Sequence, residues 1–428
     1  MEKKELPRFF RVRQSLPRPI ETDIPARVRQ ELAKVCQREL AGCKVSITVG
    51  SRGIANLAVI VRACVDFFKE RGAQPQIIPA MGSHGGGTAD GQRGVLASLG
   101  VTNDQMGCPI ISSMEVVEVC QAPQGFPVYF DRQAWQSDGV LVLNRIKPHT
   151  RFTGQIESGL MKMMLIGLGK QIGAEVYHRV IVNYCFDQIV RSVAQAVIDQ
   201  CRILAGLAIL ESGFEETAQI VGVQAEDIET EEPRLLERVK SWLPKLPFDR
   251  AELLMIDQIG KDISGTGMDT NVVGRKYNDH AAINGDSPDI HHIYVRSLTQ
   301  ATGGNASGIG LSEMCHRRVV ERMDHAVTRN NCITACHLTG AMVPIDFPND
   351  WQALQVACQI AGFIAPNQLA ALWIRDTLSL TEVECSEYFL ERARQRSDLE
   401  ITSQPSALQF DSNEDLISRF AAAHSSQR

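Results

Sequence analysis

The sequence predicts an α/β protein of two α/β domains with mostly parallel sheets. Short β-branched runs alternate with segments of helical apolar period through residue 212, the pattern of parallel βαβ units. The chain's 428 residues exceed what one hydrophobic core serves. A second strand–helix series, with a glycine-rich stretch of its own, opens near residue 253.

Residues 1–25 carry Pro7, Pro17, Pro19 and Pro25 and read as an extended lead-in. Helical periodicity follows over 26–40. KVSITVG (44–50) is a β-branched strand, the turn SRGIAN comes next, and residues 57–72 form a helix that stops at Gly72. QPQIIPAMG (74–82) is a strand that runs into SHGGGTADGQ, then a helix, GQRGVLASLG, and a short strand, PIISS. The apolar run VLVLN ends at a polar turn carrying Lys147 and His149. Beyond it lie a helix over 183–202, a strand over 204–212 and a charged amphipathic helix over 229–248 that ends at two prolines. The domain boundary belongs there, giving 1–247, 248–400 and a polar tail, 401–428. In the second domain, strands are expected at 253–260, 290–299 and 369–378, with a helix at 351–362.

Composition narrows the function. With 44% hydrophobic and 22% charged residues the chain is ordinary for a globular protein. A net charge of −6 offers no basic excess to neutralise nucleic acid. The start, MEKKELPRFFRVRQ, lacks an apolar signal region, and no apolar run reaches the ~18 residues a membrane span needs. Twelve scattered cysteines without a CxxC pair suit a reducing cytoplasm. Cys332 and Cys336, the closest pair, would share a helix face but lack further metal ligands.

In parallel sheets, ligands gather beyond the carboxyl ends of the strands. Three polar turns, Gly50–Asn56, Gly82–Asp90 and Asn144–Thr153, should share that rim. His84 lies between glycines that let backbone approach a ligand, although a plain glycine turn reads the same way. His149 follows Pro148 directly after a strand; two imidazoles at one rim suit a paired acid and base. Lys162, in LMKMMLIGL, is costly to bury charged, so it is either a low-pKa amine fit for covalent chemistry or a snorkelling side chain. His178 suits metal ligation or a structural helix end, and Arg52 suits bidentate carboxylate binding.

Together these stretches resemble the nickel-pincer lactate racemase family over roughly residues 45–180. The carriers are SRGIAN with Arg52, GSH with His84, KPHT with His149, LMKMMLIG with Lys162, and then His178. The resemblance implies a nickel pincer nucleotide, Ni(II) with pyridinium-3,5-bisthiocarboxylic acid mononucleotide, covalently attached to Lys162, with His178 as the protein ligand to nickel. It also implies His84 and His149 on opposite faces of a 2-hydroxy acid, and Arg52 on substrate or cofactor. Gly85 and Gly86 beside His84, with Ser158 and Gly159 in TGQIESGLM, would be the remaining cofactor contacts. That loop is about three residues longer than the family's phosphate cradle, and Val49 stands where an acidic residue is expected. Lys261 and Arg275, picked for their charge alone, would bind substrate across an interdomain cleft.

The expectation is therefore a cytosolic racemase or epimerase of a 2-hydroxy acid other than lactate. It would be loaded by cofactor-synthesis enzymes, with no nucleic-acid or membrane partner and with a homo-oligomer possible. The alternatives are a non-racemising binder of a nucleotide-like cofactor or anion, and a lyase or oxidoreductase on the same histidine rim.

Overall fold

The computed structural model describes residues 5–420 apart from Arg52, Val182, Asn284 and Phe363. Two compact units form: Pro17–Leu243, and Met1–Leu16 together with Pro244–Arg428. The first strand, β1 (Phe9–Gln14), belongs to the latter.

Within Pro17–Leu243, β2 (Lys44–Val49) and β3 (Gln74–Pro79) are joined by the helix Leu57–Glu70. A hairpin of β4 (Val116–Gln121) and β5 (Pro127–Asp131) stands apart from the main sheet. The main sheet is completed by β6 (Gly139–Ile146), β7 (Ile203–Glu211) and β8 (Thr217–Gln224) in the order β3-β2-β6-β7-β8. All neighbours are parallel except β8, which runs antiparallel to β7. Alternation along β6 covers both faces. Leu141 and Leu143 join the core beneath the helices Ile24–Val35 and Leu57–Glu70, while Val140 and Val142 join the core around Leu160–Leu165 and the helix Phe186–Gln200.

The other unit holds β9 (Arg250–Ile256), β10 (Asp289–Val295), β11 (Met314–His316), β12 (Ile345–Phe347), β13 (Ala371–Ile374), β14 (Glu382–Ser386) and β15 (Leu399–Ile401). Their order is β12-β11-β10-β9-β13-β14-β1-β15; the first five are parallel, and the last three are antiparallel additions at one side. The expected α/β class with mostly parallel sheets holds in both units.

Several elements differ from expectation. The proline-rich lead-in hides FFRVRQ, which forms β1 between β14 and β15, with Phe9, Phe10 and Val12 fully buried. PIISS contributes only an isolated bridge between Ile110 and Ile77. The helix read over 229–248 spans Ile228–Trp242 and stops short of Pro244, whose ring cannot follow a helical residue without a clash. Of the two outcomes open to the polar tail, packing back and fraying, it packs back as far as Phe420: Leu416 is buried, and Leu408, Phe410 and Phe420 lie against the core around Trp373. Four apolar side chains spaced through a polar stretch suffice to dock it. Among the described residues no helix is long and apolar enough to cross a membrane.

Phe9 meets Trp373 edge-on, with ring centroids 6.5 Å apart. We expect Phe9→Ala to cost about 3 kcal/mol, in line with truncation of an enclosed aromatic. Urea unfolding followed by hydrogen exchange should show the loss in residues 244–420 and leave 17–243 unchanged.

Candidate functional site

In the sheet of Pro17–Leu243, β2 lies between β3 and β6. The chain leaves β2 for β3 on one side and later returns to β6 on the other, so the sheet's direction of winding switches at β2 and β6. Open α/β sheets bind ligands at such a switch, beyond the strand carboxyl ends. The turn carrying His84 follows β3, the turn at 50–56 follows β2, and the turn carrying His149 follows β6. The outer two are separated by two strand spacings, about 10 Å. Arg52 lies outside the described residues.

The His149 turn is tightly built. The His149 amide donates to Glu157 Oε2 at 2.7 Å. The amides of Arg151 and Phe152 both donate to His149 Nδ1 at 3.0 Å. The imidazole stacks on Phe152 at 4.1 Å, and Phe152 stacks on Phe186 at 4.1 Å. The Lys162 ammonium lies 4.8 Å from the Phe152 ring centroid, within cation–π range. Lys162 is half-buried beside this column, so the snorkelling and the reactive readings meet at an aromatic face.

His178 sits on the helix Lys170–Val180. Its residue surface is exposed, yet neighbouring protein shields enough of the ring to make it harder to protonate than usual. Lost solvation contributes most and the charge of Lys162 adds to it. The His84 turn packs on the same helix: a Cβ at Gly82 would stand 3.7 Å from Ala174 Cβ, and one at Gly87 would overlap the Gln171 side chain. His84 itself is exposed, and its Nδ1 contacts Ser51 Oγ. His149, Lys162 and His178 thus share one neighbourhood, and the His84 turn borders it through the His178 helix.

Gly85 and Gly86 divide into two roles. A Cβ at Gly85 would lie 2.6 Å from the Gln92 amide, so this glycine serves the turn's own packing, whereas no described residue lies within 4 Å of one at Gly86. Ser158 and Gly159 do not offer the expected phosphate cradle. Glu232 Oε2 accepts the Met161 amide at 2.9 Å, and a Cβ at Gly159 would stand 2.3 Å from Glu232 Oε1. The protein's own carboxylate fills the place of an anion at that helix start.

Sequence reasoning missed these supports. Glu232 is almost fully buried, its Oε1 has no partner, and burial pushes its carboxyl up to about 7. Glu157, 2% exposed, also meets Lys240 at 3.2 Å. Beneath the His84 turn, Lys170 and Asp131 form an ion pair of 3.0 Å at zero exposure. Lys170 also donates to Pro79 O and to Gln92 Oε1, and Gln92 Nε2 donates to Gly82 O at 2.8 Å and His84 O at 3.3 Å. Lys170 adopts φ 56°, which favours glycine; its side-chain contacts oppose that strain. No local pattern marks such residues, because their partners are remote in sequence.

Lys261 and Arg275 belong to the other unit. Lys261 donates to Gly265 O and to Asn331 Oδ1 at 3.0 Å. Arg275 is wholly enclosed and pairs with Glu313 at 3.5 Å, so its guanidinium has no surface to offer a ligand. In the same unit, His316, Asp350 and Asp415 have metal-ligand spacing. Arg296 holds Asp350 at 2.7 Å and Arg318 holds Asp415 at 2.5 Å, a guanidinium pairing that disfavours a cation.

Neither a family model nor a curated sequence relative matches the chain. Among solved structures, the lactate racemase apoprotein from Thermoanaerobacterium thermosaccharolyticum is similar at 13% identity and a TM-score of 0.49, covering 86% of this chain and 85% of that one. Likeness at this level carries no argument about chemistry.

A carboxyl that holds its proton more tightly folded than unfolded favours folding at low pH. For Glu232 that contribution is present below the usual 4.5 and is lost as pH rises through about 7. Glu232→Gln should flatten the decline in stability across this window in urea titrations at stepped pH. An unchanged slope would place Glu232 at an ordinary carboxylate value.

Proposed function

We propose that the protein is a racemase or epimerase of a 2-hydroxy acid, working with a nickel pincer nucleotide tethered through Lys162. One observation carries the reading: Lys162 lies over the Phe152 ring on which His149 stacks, and its charge reaches His178. The family resemblance names the same three residues. A tether, a metal ligand and an acid–base group are thereby supplied within one neighbourhood.

The donor set suits the cofactor. Lys162 would supply the amine for covalent attachment, and His178, biased toward its neutral form, would supply an imidazole lone pair for nickel. Bound there, the cofactor supplies the hydride acceptor that protein side chains lack. His84 and His149, from turns on either side of β2, would hold the substrate's hydroxyl and manage its proton. Arg52, in the intervening turn, is assigned the carboxylate. Folding in the cytosol, where cofactor-synthesis enzymes act, completes the proposal.

Glu232 favours a second reading. Its carboxylate takes the Met161 amide where a nucleotide phosphate would be cradled, as suits a protein that binds a small anion without a covalent cofactor.

Intact mass and nickel content of protein co-expressed with cofactor-synthesis enzymes separate the two. We expect a lysine adduct and bound nickel in the wild type, and neither in Lys162→Ala. An unmodified, nickel-free wild type would sink the pincer assignment. Given an adduct, chiral chromatography over a panel of 2-hydroxy acids should show racemisation. We expect His84→Ala and His149→Ala each to slow it by about a hundredfold or more while keeping the adduct.

A further inference from the structure

The most exposed large apolar side chains among the described residues gather in one short stretch. Ile333, Leu338, Met342, Val343 and Ile345 each keep between 46% and 70% of their surface exposed, Ile345 and Leu338 the most. They run from the end of the helix His325–Thr334 through the turn Leu338–Ala341 to the start of β12. All five belong to the unit completed by Pro244–Arg428, and the helix packs against the turn. The stretch is firmly seated. Thr328 and Cys332 are buried on the inner side of the helix, the Gly308 amide donates to Gly340 O at 2.8 Å, and the Ile345 amide donates to Glu313 O at 3.2 Å. The apolar groups are thus held outward on an ordered surface, so little ordering would be lost on covering them.

Charge is missing from this face. From Asn330 to Ile345 the chain has no Asp, Glu, Lys or Arg, although 22% of all its residues are charged. The five side chains expose roughly 500 Å², in the upper range of what a monomer leaves in one patch. Two such faces together would remove about 1,000 Å² from water, the threshold of a specific interface.

We propose that this face docks a second copy of the chain about a two-fold axis. A face without charge can meet itself with no like charges opposed, which an isologous contact requires. Loss of charge and gain of Ile, Leu and Met are also what the core of a homodimer interface shows. Elsewhere the net charge of −6 works against close approach of two copies. A lipid surface would call for lysines and arginines beside the patch, whereas its flanking residues, Arg329 and Asp346, are one of each sign. An added strand is disfavoured too. Asp346, at the centre of β12, is bound to Arg317 at 2.8 Å, and Pro344 and Pro348 on either side cannot donate to a ladder. The contact is therefore one of side-chain faces, and it is independent of the proposed function.

Sedimentation of the full chain at stepped concentration tests this without cofactor or substrate. We expect a 47.2 kDa monomer when dilute and twice that mass by about 100 μM. Leu338→Asp combined with Met342→Asp should weaken association by about a hundredfold or more. Both side chains are exposed, so circular dichroism and the thermal midpoint should stay at their wild-type values. Hydrogen exchange of the wild type, concentrated against dilute, should show added protection over 333–345 and needs no variant. A wild type that remains monomeric at about 100 μM overturns the proposal. So does a dimer that survives the double substitution with no added protection over 333–345. Flotation with phosphatidylcholine vesicles, with and without phosphatidylserine, should leave the protein unbound; binding to either would assign the face to a lipid surface instead.

Discussion

The rim of Pro17–Leu243 depends on side-chain carboxylates that accept backbone amides of its turns. Glu211 takes the amide of Ala55 at 2.7 Å, Glu157 that of His149, Asp187 that of Ile156 at 3.0 Å, and Glu232 that of Met161. Each bond replaces water at a loop whose donors would otherwise go unsatisfied. Three of these carboxylates also have a cation: Arg145 for Glu211, Lys240 for Glu157 and Arg191 for Asp187. Among the described residues Glu232 has no such ion pair and keeps an orphaned Oε1, and burial lifts its carboxyl to about 7. The anchor beneath the Lys162 helix thus changes charge near neutrality.

The His84 turn is supported differently, by a lysine and an aspartate with no exposed surface. A buried ion pair contributes little net stability, because desolvation offsets attraction, but removing either member leaves an unpaired charge inside. Its consequence here is positional. Lys170 fixes Gln92, and Gln92 fixes the carbonyls of Gly82 and His84. Ser51 then fixes the ring from the neighbouring turn. Both histidines therefore arrive at the rim already oriented, which is what acid–base chemistry needs from a scaffold.

Much of this was legible in the sequence because it has a local signature. β2, β3, β6 and β7 stand out as apolar runs bounded by turns, and parallel pairing follows from the helices between them. That alone places His84 and His149 at one rim. Lys162 is legible as a cation in an apolar segment, although its aromatic seat on Phe152 is not, since nothing in RFTG announces stacking. β1 was hidden by the prolines on either side, Pro7 and Pro17, and by pairing with strands more than 360 residues away. The carboxylate supports were illegible for the same reason: Glu232 and Met161 are 71 positions apart. Periodicity reports which face a residue occupies, not which distant amide it will meet.

The anchoring also bears on where an anion could be received. An isolated helix start would attract a phosphate through its unpaired amides. At Leu160–Lys162 that attraction is spent on Glu232, so a negatively charged ligand meets repulsion there whenever the carboxyl is ionised. Across the rim, Gly85, Gly86 and Gly87 turn through left-handed φ values of 66°, 67° and 64°, and the space beside Gly86 is open. Backbone beside Gly86 is therefore a more open place for an anionic group than the start of Leu160–Lys162. At the end of the loop between Thr153 and Met161 an internal carboxylate takes the helix-start amide, which leaves the glycine turn as the more open backbone at this rim.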